Sequence, residues 1–271
     1  MGDIEEDRIY ADTLGKTDLF VATGLGVAEV SVSNDRIGQF SLAHRCTARD
    51  VAADGTRVLV ATDEDVLAIE TAGDEPTVES LEFGPAVAVG VADAPLAGRP
   101  DGTIERRVDG EWKPLGTVEA VRAIDGDLVA SVDGVFRVGG TLEHVGLEDA
   151  YDVVGRETPY AATSDGLYRL GPGWTRDLDG DFRVVTGGTH QAHAATADAL
   201  YVREDGSWER REIPTAESIV DVGYVADGGV VAVTASGTCL VDPVAAKDGA
   251  SGWRSRSLGL PETAALAVPE Q

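Results

Sequence analysis

Leu128-Val129-Ala130-Ser131-Val132-Asp133-Gly134-Val135-Phe136-Arg137-Val138 decides the fold. An apolar tetrad ends in a small hydroxyl residue, Asp-Gly supplies a hairpin turn, and a second apolar run starts five residues after the alanine. Alone this is a β-hairpin. Its weight comes from recurrence, because a unit repeated at a fixed period marks a repeat architecture. Leu19-Phe20-Val21-Ala22-Thr23 is followed by Val27, and Val58-Leu59-Val60-Ala61-Thr62 by Val66. Tyr160-Ala161-Ala162-Thr163 leads to Leu167, His193-Ala194-Ala195-Thr196 to Leu200, and Val231-Ala232-Val233-Thr234 to Cys239. Pro95-Leu96-Ala97-Gly98 with Ile104 reads as a degenerate copy.

The marker residue thus falls at 23, 62, 98, 131, 163, 196 and 234, spaced by 32 to 39 residues. That period suits four short strands with their turns, so the expectation is an all-β, seven-bladed β-propeller of four antiparallel strands per blade. Six blades is the alternative count. Trp112, Trp174, Trp208 and Trp253 each follow a glycine-containing pair at one place in the repeat, which predicts packing between blades. Small apolar segments between units suit innermost strands around a channel. The last, Ala264 to Val268, has no second strand after it and should complete the first blade beside Leu19 to Thr23, closing the ring through the chain termini. Arg8-Ile9-Tyr10-Ala11 competes for that place or adds an outer strand. No linker-like tract interrupts residues 1–271, which read as a single domain.

Charge is the outlying feature of the composition. Asp and Glu total 48 against 22 Lys and Arg, a formal net charge of -26, and lysine occurs only at 16, 113 and 247. In dilute buffer such a surface repels itself, whereas molar salt screens it. The reading is an acidic protein of a halophilic archaeon that requires salt ions for stability. Met1 to Asp7 carries neither a basic nor an apolar leader region, and no window spans a bilayer, so a cytoplasmic location without membrane contact is expected. Cys46 and Cys239 lack any paired spacing, which argues for structural thiols. Arg106-Arg107 and Arg210-Arg211 are isolated among acids, so nucleic acid is not an expected partner.

Gly24-Leu25-Gly26-Val27, then His44-Arg45-Cys46-Thr47-Ala48-Arg49-Asp50-Val51-Ala52, together with the acidic surface, resembles a haloarchaeal β-propeller family. The resemblance covers the whole chain. It implies the fold and the saline habitat, and it carries no activity.

Candidate site residues stand in front of the innermost strands. Asp50, Arg122, Asp152, Arg183 and Asp221 each precede an apolar pair, one in each of five units, and would form a ring of mixed sign at the channel mouth. Such a ring is read first as a structural fastener and second as a binding site. His44, Arg45 and Cys46 form a second channel-mouth candidate, in which a neighbouring arginine could lower the thiol pKa. His190 and His193 are candidate metal ligands, disfavoured because residues three apart on a strand point to opposite faces. The Asp-Gly pairs lack calcium-loop spacing and suit hairpin turns, and no nucleophile motif or phosphate loop occurs. These observations favour a non-enzymatic, monomeric protein-interaction platform without a cofactor, whose partner is another protein. The alternative is a metal-dependent hydrolase or lactonase-like enzyme drawing on Asp50, Asp152 and Asp221 in the channel.

Overall fold

A computed structural model describes residues 16–33, 36–73, 76–187, 191–225, 228–243 and 252–270. Arg8 to Ala11 and His190 lie outside these residues. The described strands form seven four-stranded antiparallel sheets arranged as a closed ring, with no helix among the described residues. Blades 2 to 7 each use four consecutive strands. Blade 1 instead takes its innermost strand from the far end of the chain. Ala265–Ala267 pairs antiparallel with Lys16–Thr23, placing Phe20 opposite Ala267 and Ala22 opposite Ala265.

In four blades the repeated hydroxyl residue explains why the hairpin turns where it does. Thr23 Oγ1 donates to Gly26 O at 2.7 Å, Thr62 to Asp65 O at 2.7 Å, Ser131 to Gly134 O at 3.1 Å and Thr163 to Gly166 O at 2.9 Å. A buried hydroxyl therefore staples the turn between the second and third strands, adding a second donor to a carbonyl that, at Asp65, already accepts the Thr62 N–H. At the opposite end, Asp109-Gly110 and Asp205-Gly206 have positive φ at both residues, the type I′ geometry that lets Asp-Gly join twisted strands.

Blade 3 departs from the sequence reading by one residue. Gly98 pairs with Ile104 as Ala61 pairs with Val66, so the marker position is held by Arg99 and not by Gly98. Arg99 N donates to Thr103 O, its Nε meets Glu105 Oε1 at 2.6 Å, and its guanidinium lies over the Phe83 ring at 4.0 Å. A loop one residue longer has moved the register, which apolar patterning alone could not reveal.

No blade owns a core. Among the described residues seven apolar clusters are found, each between two neighbouring blades, so every sheet buries both faces. A fully buried valine or leucine contributes about 1.5–3 kcal/mol, which a single sheet could not collect. Three tryptophans cross these junctions as the repeat implied. Trp112 Nε1 donates to Leu81 O, Trp174 to Val145 O and Trp208 to Asp177 Oδ2, in each case reaching the preceding blade.

Candidate functional site

The innermost strands line a central cavity of about 340 Å³. At the end where these strands begin, pairing slips by one residue in blades 2, 4, 5, 6 and 7, leaving Arg49, Arg122, Tyr151, Arg183 and Val220 unpaired in β-bulges. Bulges re-aim side chains, and here they separate residues that the sequence reading had grouped. Asp50, Asp152 and Asp221 occupy the position after the bulge, whereas Arg122 and Arg183 occupy the bulge itself. The expected five-membered ring of mixed sign is therefore two sets at two levels.

The lower set holds neighbouring blades together. Asp50 Oδ1 accepts from Val51 N at 2.8 Å while Oδ2 accepts from Val89 N of the next blade at 2.9 Å. Asp152 does the same with Val153 N and Val185 N, both at 2.8 Å, and Asp221 with Val222 N and Leu266 N, both at 2.7 Å. These junctions are 2 to 3, 5 to 6 and 7 to 1, as evenly spread as three can be on seven. Nearer the other end, Asp125 Oδ2 accepts from Gly155 N at 2.9 Å. Gly155 is required there, because a Cβ would lie 2.2 Å from Asp125 O.

Desolvation dominates the electrostatics of this set. It pushes Asp50 and Asp221 up to about 7 and Asp152 to about 8, against backbone N–H groups that favour the charged form. The carboxylates also raise one another, Asp50 through Asp152, Asp152 through Asp221, and Asp221 through Asp50. Among the described residues no three His, Cys, Asp or Glu side chains gather closely enough to hold a metal ion.

The upper set stands at the start of the innermost strands, one residue before the carboxylate level, and does not line the cavity. Tyr151 lies between two guanidiniums, Arg122 at 4.1 Å from its ring centre and Arg183 at 3.7 Å, joining blades 4, 5 and 6. Arg122 Nη1 also meets Asp149 at 2.7 Å and Ala150 O at 3.1 Å, and Arg183 Nη2 meets Asp181 at 2.6 Å. Arg49 holds the equivalent place in blade 2, where it is exposed and has no ion-pair partner among the described residues. Blades 1 and 3 supply Ala264 and Val87, identified by their N–H bonds to Ala22 O and Gly98 O. No acid occupies any of the seven positions, although acids outnumber bases by 48 to 22 in the chain. Arg49 and Tyr151 were not singled out from sequence, yet Arg49-Asp50 places the two residue types side by side and was the available signal.

The remaining candidates do not join either set. His44 ends the outer strand of blade 1, with Arg45 and Cys46 in the crossover to blade 2. Cys46 is not activated by Arg45. Burial pushes its thiol up, and Asp63 and Glu64 add to the rise. His193 is buried on the second strand of blade 6, its Nδ1 2.9 Å from Tyr224 Oη, and desolvation lowers its pKa to about 4. It is a neutral core histidine at ordinary pH. No helix among the described residues is long and apolar enough to cross a membrane.

A family model described as HVO_0234-like, beta propeller, matches residues 3–269. The sequence matches no curated protein. Several solved structures share the fold. The WD40 β-propeller domain of Doa1 aligns with a TM-score of 0.60 at 12% identity, over 80% of this chain and 86% of that one. YCF48 bound to D1 peptide aligns at 0.56 and 12%, over 78% and 82%. The extracellular domain of the one-component system BT4673 from B. thetaiotaomicron aligns at 0.59 and 11%, over 80% of this chain, which spans only 37% of that one. Identities this low establish likeness of fold alone.

Proposed function

The chain belongs to the HVO_0234-like β-propeller family, and we propose that it serves as a non-enzymatic protein-interaction platform in the cytoplasm of a halophilic archaeon, docking its partner at the mouth ringed by the bulge residues. The observation that carries this reading is the set Arg49, Arg122, Tyr151 and Arg183 at one structural position, the bulge at the start of an innermost strand, in four of the seven blades. Tyrosine and arginine are the residue types that dominate binding energy at protein interfaces, and a rigid backbone presents them with little ordering cost. The fold relative YCF48, solved with a peptide bound, gives the same reading a precedent of architecture. The net charge of -26 and the scarcity of lysine support the saline setting.

Affinity capture from lysate held at molar KCl tests it. The wild-type chain should retain a partner that Arg49→Glu and Tyr151→Ala lose while keeping their β-sheet circular dichroism. Equal retention by folded variants would remove the mouth from consideration.

A further inference from the structure

In a chain with 48 acids and 22 bases, a surface without acids is informative. Five of the seven outer strands carry at least one: Glu79 in blade 2, Glu111 in blade 3, Glu143 in blade 4, Asp177 in blade 5 and Glu209 in blade 6. The outer strand of blade 1, Arg36–His44, and that of blade 7, Arg254–Ser257, carry none. The sequence around them agrees, with no Asp or Glu from Arg36 to Arg49 or from Gly252 to Pro261. These two strands face one another across the seam that closes the ring, so two distant stretches of chain make one acid-free rim.

The rim is built around Phe40 and Arg256. Phe40 pairs with Val30, whose side chain belongs to the apolar cluster of the seam, so its ring is turned toward blade 7. It is nonetheless 38% exposed, one of three large apolar side chains so placed among the described residues. The Arg256 guanidinium lies over this ring at 5.5 Å from its centre, and its Nη1 donates to Ile37 O at 3.2 Å and to Gly38 O. Those acceptors are neutral. No carboxylate meets Arg256 among the described residues, and its Nε and Nη2 have no partner there. Phe40 and Arg256 each stand five positions from the nearest residue outside the described ones, about 16 Å along a strand.

Carbonyls on one edge and a ring beneath fix the guanidinium before any partner arrives, so little freedom is lost on binding. Arginine and aromatic side chains are also the types that carry most of the energy at protein interfaces. The uncompensated charge decides what can dock. A carboxylate gains a bidentate contact with the Nε–Nη2 edge, whereas another cation is repelled. At about 1 M salt the Debye length is roughly 3 Å, so a contact pair survives where attraction at longer range does not.

We propose that this rim docks an acidic, extended segment of another protein, with one carboxylate on the free edge of Arg256 and an apolar side chain over Phe40. The surface is peripheral and uses none of the bulge residues of the innermost strands.

Fluorescence anisotropy with a labelled Glu-Glu-Leu-Glu-Glu peptide at molar KCl tests the assignment. Saturable binding is expected, weaker by about tenfold or more for Gln-Gln-Leu-Gln-Gln and in Arg256→Gln. Phe40→Ser should weaken it similarly, and Arg210→Gln, at an exposed arginine of blade 6, should leave it unchanged. Absence of saturable binding at millimolar peptide, equal affinity for the glutamine peptide, or undiminished binding in either folded variant would overturn the proposal. So would self-association of the chain that Arg256→Gln abolishes, because the occupant would then be a second copy. Phe40→Ser decides the matter if Arg256→Gln does not fold.

Discussion

Asp221 Oδ2 accepts the backbone N–H of Leu266 at 2.7 Å, so one carboxylate of blade 7 holds the strand that completes blade 1. Around this bond the seam is reinforced at the periphery, where Arg256 donates to Ile37 O at 3.2 Å and to Gly38 O. The apolar cluster of the same junction includes Leu19, Val231 and Leu266.

Replacing Asp221 with Ala at pH 6 should therefore cost about 1–3 kcal/mol, the penalty of leaving a buried N–H without an acceptor. Asp221→Asn should also destabilise, because its amide sets a donor against the Leu266 N–H. Urea unfolding measures both, and stability equal to wild type would show that the bond contributes nothing to closure.

The three channel carboxylates predict an inverse dependence of stability on pH. Their folded pKa values of about 7, 8 and 7 lie above the ordinary 3.8, so the folded state holds protons that the unfolded chain has already released. Their stabilising contribution is full below about pH 4, declines as pH rises through about 8, and is constant above that. Each contributes a slope of up to about 1.4 kcal/mol per pH unit within the window. Denaturant midpoints taken from pH 5 to 9 at fixed salt should fall, and Asp152→Asn should flatten the fall. A midpoint rising over this interval would contradict the desolvation argument.

Tyr151 bridges blades 4, 5 and 6 through its two guanidinium contacts. Tyr151→Leu keeps bulk but removes the ring, and should lower stability by about 1–2 kcal/mol if each partly desolvated contact is worth about 0.5–1 kcal/mol. Arg122→Met and Arg183→Met should each cost less than the tyrosine change. A double-mutant cycle between Tyr151 and Arg183 isolates the contact, and zero coupling energy would show that the stack is incidental.

Salt should stabilise the fold strongly. With a net charge of -26, repulsion acts over about 10 Å at 0.1 M salt and about 3 Å at 1 M. Thermal midpoints measured in rising KCl should climb until screening is complete. Equal midpoints at 0.1 and 2 M would mean that the surface carries no such strain.

How far the chain could be read depended on which physical signal each residue leaves. The Ala-Thr marker and its turn were visible because a buried hydroxyl capping a hairpin leaves the same few residues in several copies, as at Thr62 and Thr163. Arg99 escaped notice because it fills the same role through its backbone in a longer loop. Asp50, Asp152 and Asp221, each followed by valine on an innermost strand, share one place in the register, whereas Arg122 and Arg183 share the place before it. A β-bulge displaces a residue by one position without altering local composition, so register had to come from the cross-strand partners Thr62, Ser131, Thr163, Thr196 and Thr234.

Ala265–Ala267 also sets the order in which the molecule can be made. Phe20 finds its neighbour Ala267 some 247 positions later, so on the ribosome the first sheet waits with one margin bare until the strands of the other six have emerged. Contacts of such long range slow folding. Six completed sheets can assemble in turn before this point, and the circle then locks in a single late step, when residues around Leu266 slide between their two waiting neighbours.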